Sequence, residues 1–180
     1  MAGIGAVKKS QSINLLSYTT MESPVGKLLL VSDGRSLRSV NFESSKRAVP
    51  VQSDWKEDNA PFTEAIRQLR AYFTGELREF DLPLAPEGTE FQMRVWNRLR
   101  AIPYGVTISY AQLAQEIGNP KAVRAVGLAN GCNPIPIIIP CHRVIGSDGS
   151  LTGFGGGLPN KKKLLALESR QMSLLYPCTV

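Results

Sequence analysis

The chain of 180 residues is 43% apolar and 20% charged, the composition of an ordinary globular protein. No apolar run approaches the roughly 20 residues that span a bilayer, so an integral membrane protein is excluded. The net charge of +6 is uneven, because residues 1–86 carry 11 basic and 10 acidic side chains, whereas residues 87–180 carry 10 and 5. A basic half attracts polyanions, nucleic acid first, although a surface that only aids solubility fits the charge equally well.

Three cysteines, Cys132, Cys141 and Cys178, lie in the C-terminal third of the chain. Their odd number does not fit a secreted disulfide scaffold, and no Cys/His cluster has the spacing of zinc ligands. We therefore expect a reducing compartment, which is the cytoplasm, or the nucleus in a eukaryote.

The first part of the chain is predicted to be a small α/β domain, residues 13–86, after a flexible tail at residues 1–12. Turn residues separate short β-type runs, as in a hairpin or meander. The expected strands lie within residues 13–21, 26–32 and 37–42.

Residues 44–59 are polar and are predicted to form a loop. Pro61 then opens a helix that Gly75 closes. Because no residue pattern in this domain is typical of a chemical site, its role is predicted to be structural. The buried stripe of the helix is expected to consist of Phe62, Ile66, Leu69 and Phe73.

Prolines and a glycine within residues 81–88 mark a boundary. A C-terminal domain is predicted for residues 87–171, followed by a tail at residues 172–180. This domain holds the basic excess, so any contact with nucleic acid is expected there.

Two capping-box patterns, Thr89 with Gln92 and Ser109 with Gln112, each predict the start of a helix. The second of these helices is short, and after a glycine-containing turn another helix starts near Lys121. Two short helices joined in this way are typical of a helix-turn-helix. The expected bounds of the pair are residues 110–117 and 121–131.

The second helix of the pair has a small apolar stripe at Ala122, Val126 and Ala129, while Arg124 lies on another face. Small residues allow a helix to pack tightly or to approach a ligand closely. With the local basic excess, the pattern favours a helix that faces nucleic acid. A solvated surface arginine is the alternative.

The apolar run at residues 137–140 is predicted to be a buried strand, and Cys141, His142 and Arg143 follow it directly. A thiol beside an imidazole and a fixed positive charge indicates a chemical site. A structural cysteine in the core, next to two surface residues, is the alternative.

The thiolate is the reactive form of cysteine, so Cys141 needs a base or a positive environment. A final helix, predicted at residues 159–170, carries Glu168 at the edge of its apolar face, where a carboxylate needs a partner. His142 oriented by Glu168 would give a Cys-His-Glu relay. Since adjacent residues on an extended backbone point to opposite sides, we expect a bridging water between the thiol and the imidazole.

The sequence Pro140-Cys-His-Arg-Val144 follows Asn133-Pro134 and the Arg124 helix, and it precedes five glycines around Phe154. In this order of features the chain closely resembles the 6-O-alkylguanine-DNA alkyltransferases, or methylated-DNA-protein-cysteine methyltransferases. The resemblance runs from about residue 91 to residue 168, and the five-residue cysteine motif is highly specific.

The resemblance implies an α+β protein in which a ribonuclease-H-like sheet with a helix precedes a mainly helical, winged-helix-like domain. It implies DNA repair by direct, single-turnover transfer of the alkyl group from 6-O-alkylguanine, and from 4-O-alkylthymine, to Cys141. Minor-groove binding and base flipping would come first. The partner would be double-stranded DNA containing alkylated guanine, bound by a monomer, with cooperative binding left open. No cofactor, metal or membrane is implied.

By position, Cys141 would accept the alkyl group, His142 would be its water-mediated base, and Glu168 would hold the imidazole. Asn133 would hydrogen-bond around the active-site turn, and Tyr110 would protonate the departing guanine or hydrogen-bond to it. The DNA-binding residues would be Ser109, Lys121, Ala122 and Arg124, the last filling the gap left by the flipped nucleotide. The substrate pocket would be formed by Val144, Phe154, Gly155 and Gly156.

The chain departs from the family pattern at Phe154, where many members have a tyrosine; the ring is kept and the hydroxyl is lost. Cys132 is an unusual second thiol beside Asn133, and Cys178 has no context for reactivity. From the residues alone, a cysteine hydrolase and a non-enzymatic DNA-binding module stay open as alternatives. The first needs an oxyanion hole that the sequence does not indicate, and the second has no need of a nucleophile.

Overall fold

The N-terminal domain is built on a four-stranded sheet in the computed structural model, which describes residues 16–45 and 48–175. The strand order is β3-β2-β1-β4, with β1 antiparallel to β2 and β2 antiparallel to β3. The three predicted strands are confirmed, although residues 13–15 lie outside the described residues. Their bounds are Ser17–Met21 for β1, Leu28–Ser32 for β2 and Leu37–Phe42 for β3.

The expectation of a continuous loop at residues 44–59 is wrong in one place. Lys56–Glu57 forms β4, which pairs in parallel with β1. The pairing uses backbone groups, with the N–H of Lys56 donating to the carbonyl of Leu16 at 2.9 Å. Two exposed polar residues carry no apolar alternation, so no side-chain pattern could have indicated this strand.

Helix α1, Thr63–Thr74, follows a 3-10 turn at Ala60–Phe62 and ends at Gly75. Gly75 adopts φ +87°, and its N–H donates to the carbonyl of Tyr72, as expected for a glycine that closes a helix. The predicted buried stripe is partly wrong: Phe62 and Leu69 are buried, but Ile66 and Phe73 lie at its edges. The centre of the buried face includes Ala65, Gln68, Leu69 and Tyr72.

The C-terminal domain is helical, and both predicted capping boxes are confirmed. The first helix of the helix-turn-helix, α3, packs on the second, α4. A two-stranded parallel sheet joins the start of α3 to the segment after Cys141. The element bounds are Glu90–Arg100 for α2, Ile108–Ser109 for β5, Tyr110–Glu116 for α3, Val123–Gly131 for α4, Val144–Ile145 for β6 and Leu158–Leu175 for α5.

The predicted strand at residues 137–140 is wrong, because these residues form a buried turn closed by a bridge between Pro136 and Ile139. The N–H of Ile139 donates to the carbonyl of Ile135 at 2.9 Å. Ile137 has φ +76°, the one positive φ outside glycine among the described residues. A β-branched residue in this region is strained and persists only where its surroundings hold it. The run is apolar because the turn is buried.

Helix α5 is longer than expected, since it continues to Leu175 and includes residues 172–175 of the predicted tail. The other tail residues, 1–12 and 176–180, lie outside the described residues and include Cys178. No helix in the described part of the chain is long and apolar enough to cross a membrane. The boundary between residues 86 and 87 stays a prediction, whereas the α+β class is confirmed.

The two domains are joined by hydrogen bonds that reach the segment before Cys141 and the last helix. The N–H of Val40, in β3, donates to the carbonyl of Pro134 at 2.9 Å. On the other side, the Asn160 amide in α5 donates to the carbonyl of Val25 at 2.9 Å. The sheet therefore lies directly against the turn that precedes Cys141.

We expect Gly75→Ala to lower the free energy of unfolding by about 1 kcal/mol, because its left-handed φ disfavours a side chain. Gly127→Ala is the matched control, since an added Cβ would sit inside α4 at an ordinary 3.9 Å from the Tyr110 ring. Urea unfolding should show a loss for the first variant and none for the second. Equal losses would contradict the conformational explanation.

Candidate active site

Cys141 begins the 3-10 turn Cys141–Arg143, directly after the buried turn. Asn133 stabilises the buried turn before Cys141. Its Nδ2 donates to the carbonyl of Ile139 at 2.7 Å, and its Oδ1 accepts from the N–H of Ile135 at 3.0 Å. The N–H of Cys141 donates to the same Ile139 carbonyl at 2.8 Å. The backbone that carries the thiol is therefore fixed, and the side chain of Cys141 is buried.

The thiol of Cys141 is not ionised at rest. Burial raises its pKa to about 11, although a hydrogen bond with the Asn133 side chain and the positive charge of Lys161 act in the opposite direction. A group in this state reacts as a nucleophile only when a base removes its proton. The site must therefore contain that base.

His142 and Glu168, the predicted base and its partner, meet in the core of the domain. The Nε2 of His142 lies 2.8 Å from Oε1 of Glu168, and both side chains are buried. The other ring nitrogen, Nδ1, is buried and has no hydrogen-bond partner among the described residues. Burial lowers the pKa of His142, while the carboxylate opposes that shift. A neutral imidazole with Nε2–H bound to the carboxylate would leave Nδ1 free to accept a proton.

The expected extended backbone at Cys141 and His142 is wrong, because the two residues lie in a 3-10 turn. The turn directs His142 toward α5, where Glu168 lies, and the ring edge contacts Phe154 at a centroid distance of 6.4 Å. The bridging water between thiol and imidazole stays a prediction, and the unpartnered Nδ1 is the atom that would receive it.

Arg143 was expected to provide a positive charge beside the thiol, but it turns to Glu168 instead. Its Nε donates to Oε2 at 3.0 Å and its Nη2 to Oε1 at 2.9 Å, the two-pronged geometry typical of arginine and carboxylate. Its Nη1 donates to the carbonyl of Ile102 at 2.6 Å. Burial alone would raise the pKa of Glu168, but the hydrogen bonds and charges of His142 and Arg143 lower it to about 2.

Two further donors to Glu168 were not found from the sequence. The Tyr72 hydroxyl of α1 donates to Oε1 at 2.8 Å, and the N–H of Gly105 donates to Oε2 at 3.0 Å. The first of these donors comes from the N-terminal domain, whose predicted structural role stays a prediction. A tyrosine in an apolar helix face has no sequence signal that separates it from a core residue.

Lys161 is the cation that lies near the thiol, and it was also missed. Its Nζ donates to the carbonyls of Val144 and Thr152, both at 2.6 Å, and lies 5.7 Å from the centre of the Tyr110 ring. Burial lowers its pKa to about 8, and the nearby Cys141 opposes that shift. It belongs to a run of three lysines, which normally indicates a solvated surface, so the sequence concealed it.

Tyr110 and Ser109 lie at the start of α3. The Tyr110 hydroxyl donates to the carbonyl of Thr152 at 3.0 Å, which joins the helix to residues 149–157, the glycine-rich loop. Ser109 caps the helix, with its hydroxyl accepting from the N–H of Gln112 at 3.0 Å. A DNA contact of Ser109 would be additional to this capping role.

A cavity of about 480 Å³ lies between α4 and the glycine-rich loop. Gly127 on one wall and Gly153 on the other both lie close to Tyr110. Of the predicted pocket residues, Phe154 and Gly155 line the cavity, whereas Val144 is buried and does not line it, and Gly156 packs against Phe42 of β3. The complete lining is Ser44, Ser45, Gly127, Leu128, Gly131, Gly153, Phe154, Gly155 and Gly157.

The predicted DNA-facing residues lie near the N-terminus of α4. Lys121 and Arg124 are exposed, and Ala122 is half-buried at the cap of the helix. Leu128, one turn after Arg124, is 70% exposed and also lines the cavity. A single exposed helix face therefore connects the basic residues with the entrance of the cavity.

Metal ligands are not grouped anywhere in the part of the chain that the structure describes. The sole histidine is engaged with Glu168, and Cys132 is an exposed free thiol.

Family models match both domains. The model described as the ribonuclease-like domain of 6-O-methylguanine DNA methyltransferase matches residues 16–86, and that of its DNA binding domain matches residues 90–170. The chain belongs to the 6-O-methylguanine DNA methyltransferase family. The predicted family is thus confirmed.

Relatives named methylated-DNA–protein-cysteine methyltransferase agree. One from Methanosarcina acetivorans is 57% identical over 151 residues, which cover 84% of this chain and 97% of the relative. One from Mycolicibacterium paratuberculosis is 51% identical over 156 residues, covering 87% and 94%. The crystal structure of Mycobacterium tuberculosis OGT in complex with DNA has a TM-score of 0.81 at 50% identity, covering 86% of this chain and 94% of that one. The enzyme class is confirmed, which decides against a hydrolase and against a DNA-binding module without chemistry.

We expect Glu168→Gln to lower the free energy of unfolding by about 3 to 5 kcal/mol at neutral pH, because Arg143 would be left buried without its counter-charge. Since folding lowers the pKa of Glu168 to about 2, its contribution is complete above about pH 4.5 and is lost as the pH falls toward 2. When the free energy of unfolding is measured at several pH values, the difference between parent and variant should therefore become smaller as the pH falls from about 4.5 toward 2. Glu57→Gln, at an exposed position, should match the parent throughout; a constant difference for Glu168→Gln would contradict the assignment.

Proposed function

We propose that this DNA-repair alkyltransferase takes the alkyl group of 6-O-alkylguanine in double-stranded DNA directly onto Sγ of Cys141. The observation that carries the proposal is the arrangement of a buried thiol, an imidazole with one unpartnered nitrogen, and a carboxylate 2.8 Å from the other nitrogen. Such a relay supplies the base that a thiol with a pKa of about 11 requires.

In the proposed step, His142 takes the thiol proton through one water, and Glu168 stabilises the imidazolium. Sγ then bonds to the alkyl carbon while the bond from that carbon to the guanine oxygen breaks, leaving its electron pair on the base. Tyr110 donates a proton or a hydrogen bond to the departing guanine. The proton that His142 took from the thiol balances the one that guanine gains, so the site as a whole neither gains nor loses a proton. Asn133 keeps the turn in place. Because the thioether has no route back to a thiol, each molecule acts once.

The alkyl carbon is hidden in the base stack, so the damaged nucleotide must be rotated out of the duplex, which costs a few kcal/mol. We place α4 in the minor groove of the DNA, with Ser109, Lys121 and Ala122 near the sugar-phosphate backbone of the DNA. Arg124 fills the gap that the base leaves, a use of arginine that suits minor-groove proteins. The exposed position of Arg124 and the DNA complex of the M. tuberculosis relative support this arrangement.

The flipped base would enter the cavity between α4 and the glycine-rich loop. Phe154 and Gly155 would form its wall, Val144 its floor and Gly156 its support, and 4-O-alkylthymine would be a second substrate. We propose a monomer made of domains at residues 13–86 and 87–171, acting in the cytoplasm or the nucleus. Cooperative binding along DNA is compatible with this arrangement.

Intact mass provides the direct test. Mixed with a duplex containing 6-O-methylguanine, the protein should gain one methylene, about 14 Da, in a one-to-one ratio, because CH₃ replaces the thiol hydrogen. Cys141→Ala should gain nothing, whereas Cys132→Ala, which removes the exposed thiol, should react like the parent. Repeated turnover, or mass gained by Cys141→Ala, would refute the proposal.

The role of Arg124 is tested by comparing two substrates. Arg124→Ala should slow transfer from duplex DNA at least about tenfold, since roughly 1.4 kcal/mol of the flipping cost would no longer be offset. Transfer from the free alkylated base should change much less. Arg70→Ala removes an exposed arginine of α1 and should leave both rates unchanged. Equal losses with both substrates would rule out a role in flipping.

A further inference from the structure

The hydroxyl of Tyr72 crosses the domain interface to reach the catalytic carboxylate. It donates to Oε1 of Glu168 at 2.8 Å, the same oxygen that lies 2.8 Å from Nε2 of His142. All three side chains are buried, so no solvent weakens these contacts. Two hydrogen bonds, through Glu168, therefore connect the N-terminal domain with the imidazole of His142.

This hydroxyl is not needed to keep Glu168 in place. The carboxylate is already held by two nitrogens of Arg143 and by the N–H of Gly105. Nor is it needed for packing, because the Tyr72 ring lies against Phe73, Phe80 and Tyr104, contacts that a phenylalanine would also make. What the hydroxyl adds to this site is the dipole of its hydrogen bond to Oε1 of Glu168.

The dipole has a definite effect on the imidazole. A donor to Oε1 withdraws negative charge from the atom that stabilises the protonated form of His142, so it favours the neutral form. Burial, above all, and the charges of Arg143 and Lys161 lower the pKa of His142 in the same direction, while the Glu168 carboxylate raises it. Burial and the same carboxylate raise the pKa of Tyr72 well above its usual value, so the phenol stays a donor. Tyr104 is a further titratable group that faces this cluster, next to Tyr72, Glu168 and Arg143.

We propose that Tyr72 is a positioning residue through which the N-terminal domain keeps His142 neutral and ready to accept the proton of Cys141. The part of this statement that concerns the thiol rests on the proposed function. The part that concerns the imidazole does not, since it follows from contacts within the unmodified protein.

The chain contains one histidine, so its imidazole gives a unique NMR signal. In ¹⁵N-histidine-labelled protein, Tyr72→Phe should raise the titration midpoint of His142 by about half a pH unit or more, because Oε1 regains negative charge. Tyr18→Phe makes the same chemical change in β1 and should leave the midpoint unchanged. Thermal unfolding of each variant establishes that the fold is kept.

A second variant tests the opposite direction. Replacing Tyr72 with a fluorinated tyrosine makes the phenol a stronger donor, so the midpoint of His142 should fall. Opposite shifts in the two variants support the proposal. Equal midpoints in all proteins, shifts of the same sign, or an imidazole that is still protonated at about pH 8 in the parent protein, overturn it.

Alkyl transfer to Cys141 gives the kinetic counterpart. In Tyr72→Phe the acid limb of the rate profile should move to higher pH by the same amount as the NMR midpoint, because an imidazole protonated in advance cannot take the thiol proton. A lower rate with an unmoved limb would mean a merely structural role and would overturn the proposal. Absence of transfer in the parent would refute the proposed function instead, while the NMR result would still decide the role of Tyr72.

Discussion

A carboxylate enclosed in a protein core must be surrounded by donors, and the catalytic half of this chain is organised around that requirement. Glu168 is 1% exposed. Its two oxygens form hydrogen bonds with the side chains of Tyr72, His142 and Arg143 and with the backbone N–H of Gly105. These groups come from α1, from the segment after α2 and from the turn Cys141–Arg143. The hydrogen bonds that a single buried carboxylate requires therefore fix the relative positions of several segments that are distant in sequence.

The thiol is protected by the same burial. An exposed, ionised cysteine would react with oxidants and with any electrophile in solution. Cys141 is instead enclosed, and burial raises the pKa of its thiol to about 11, so its reactivity depends on a base within the protein. Cys132, only nine residues earlier, is exposed and has no comparable surroundings. The difference between the two thiols is a difference of environment.

The sequence predicted the elements whose signals are local. The strands of the N-terminal sheet, the capping boxes of α2 and α3 and the helix-turn-helix follow from turn residues, caps and apolar periodicity. The pairing of His142 with Glu168 was also found, because a carboxylate on an apolar helix face needs a partner. Contacts that depend on tertiary packing were not found. No pattern in the neighbouring residues indicates the backbone pairing of β4, the burial of the Lys161 side chain or the hydrogen bond from Tyr72 to Glu168.

The turn before Cys141 shows why an apolar run can mislead. Buried strands and buried turns both need apolar side chains, and only the backbone distinguishes them. Here the left-handed Ile137 and the side chain of Asn133 create a turn where periodicity favours a strand. Strain of this kind persists where the surroundings compensate for it.

The rim of the cavity belongs to both domains. Ser45, just after β3, donates to the carbonyl of Gly155 at 2.7 Å, and the ring of Phe42 occupies the space that any Cβ at Gly156 would need. If the base binds in this cavity as proposed, the width available to its substituent is a property of how the sheet docks on the helices. Changes in the N-terminal half, far from the nucleophile in sequence, can thus alter the chemical range of the protein without touching a reacting atom.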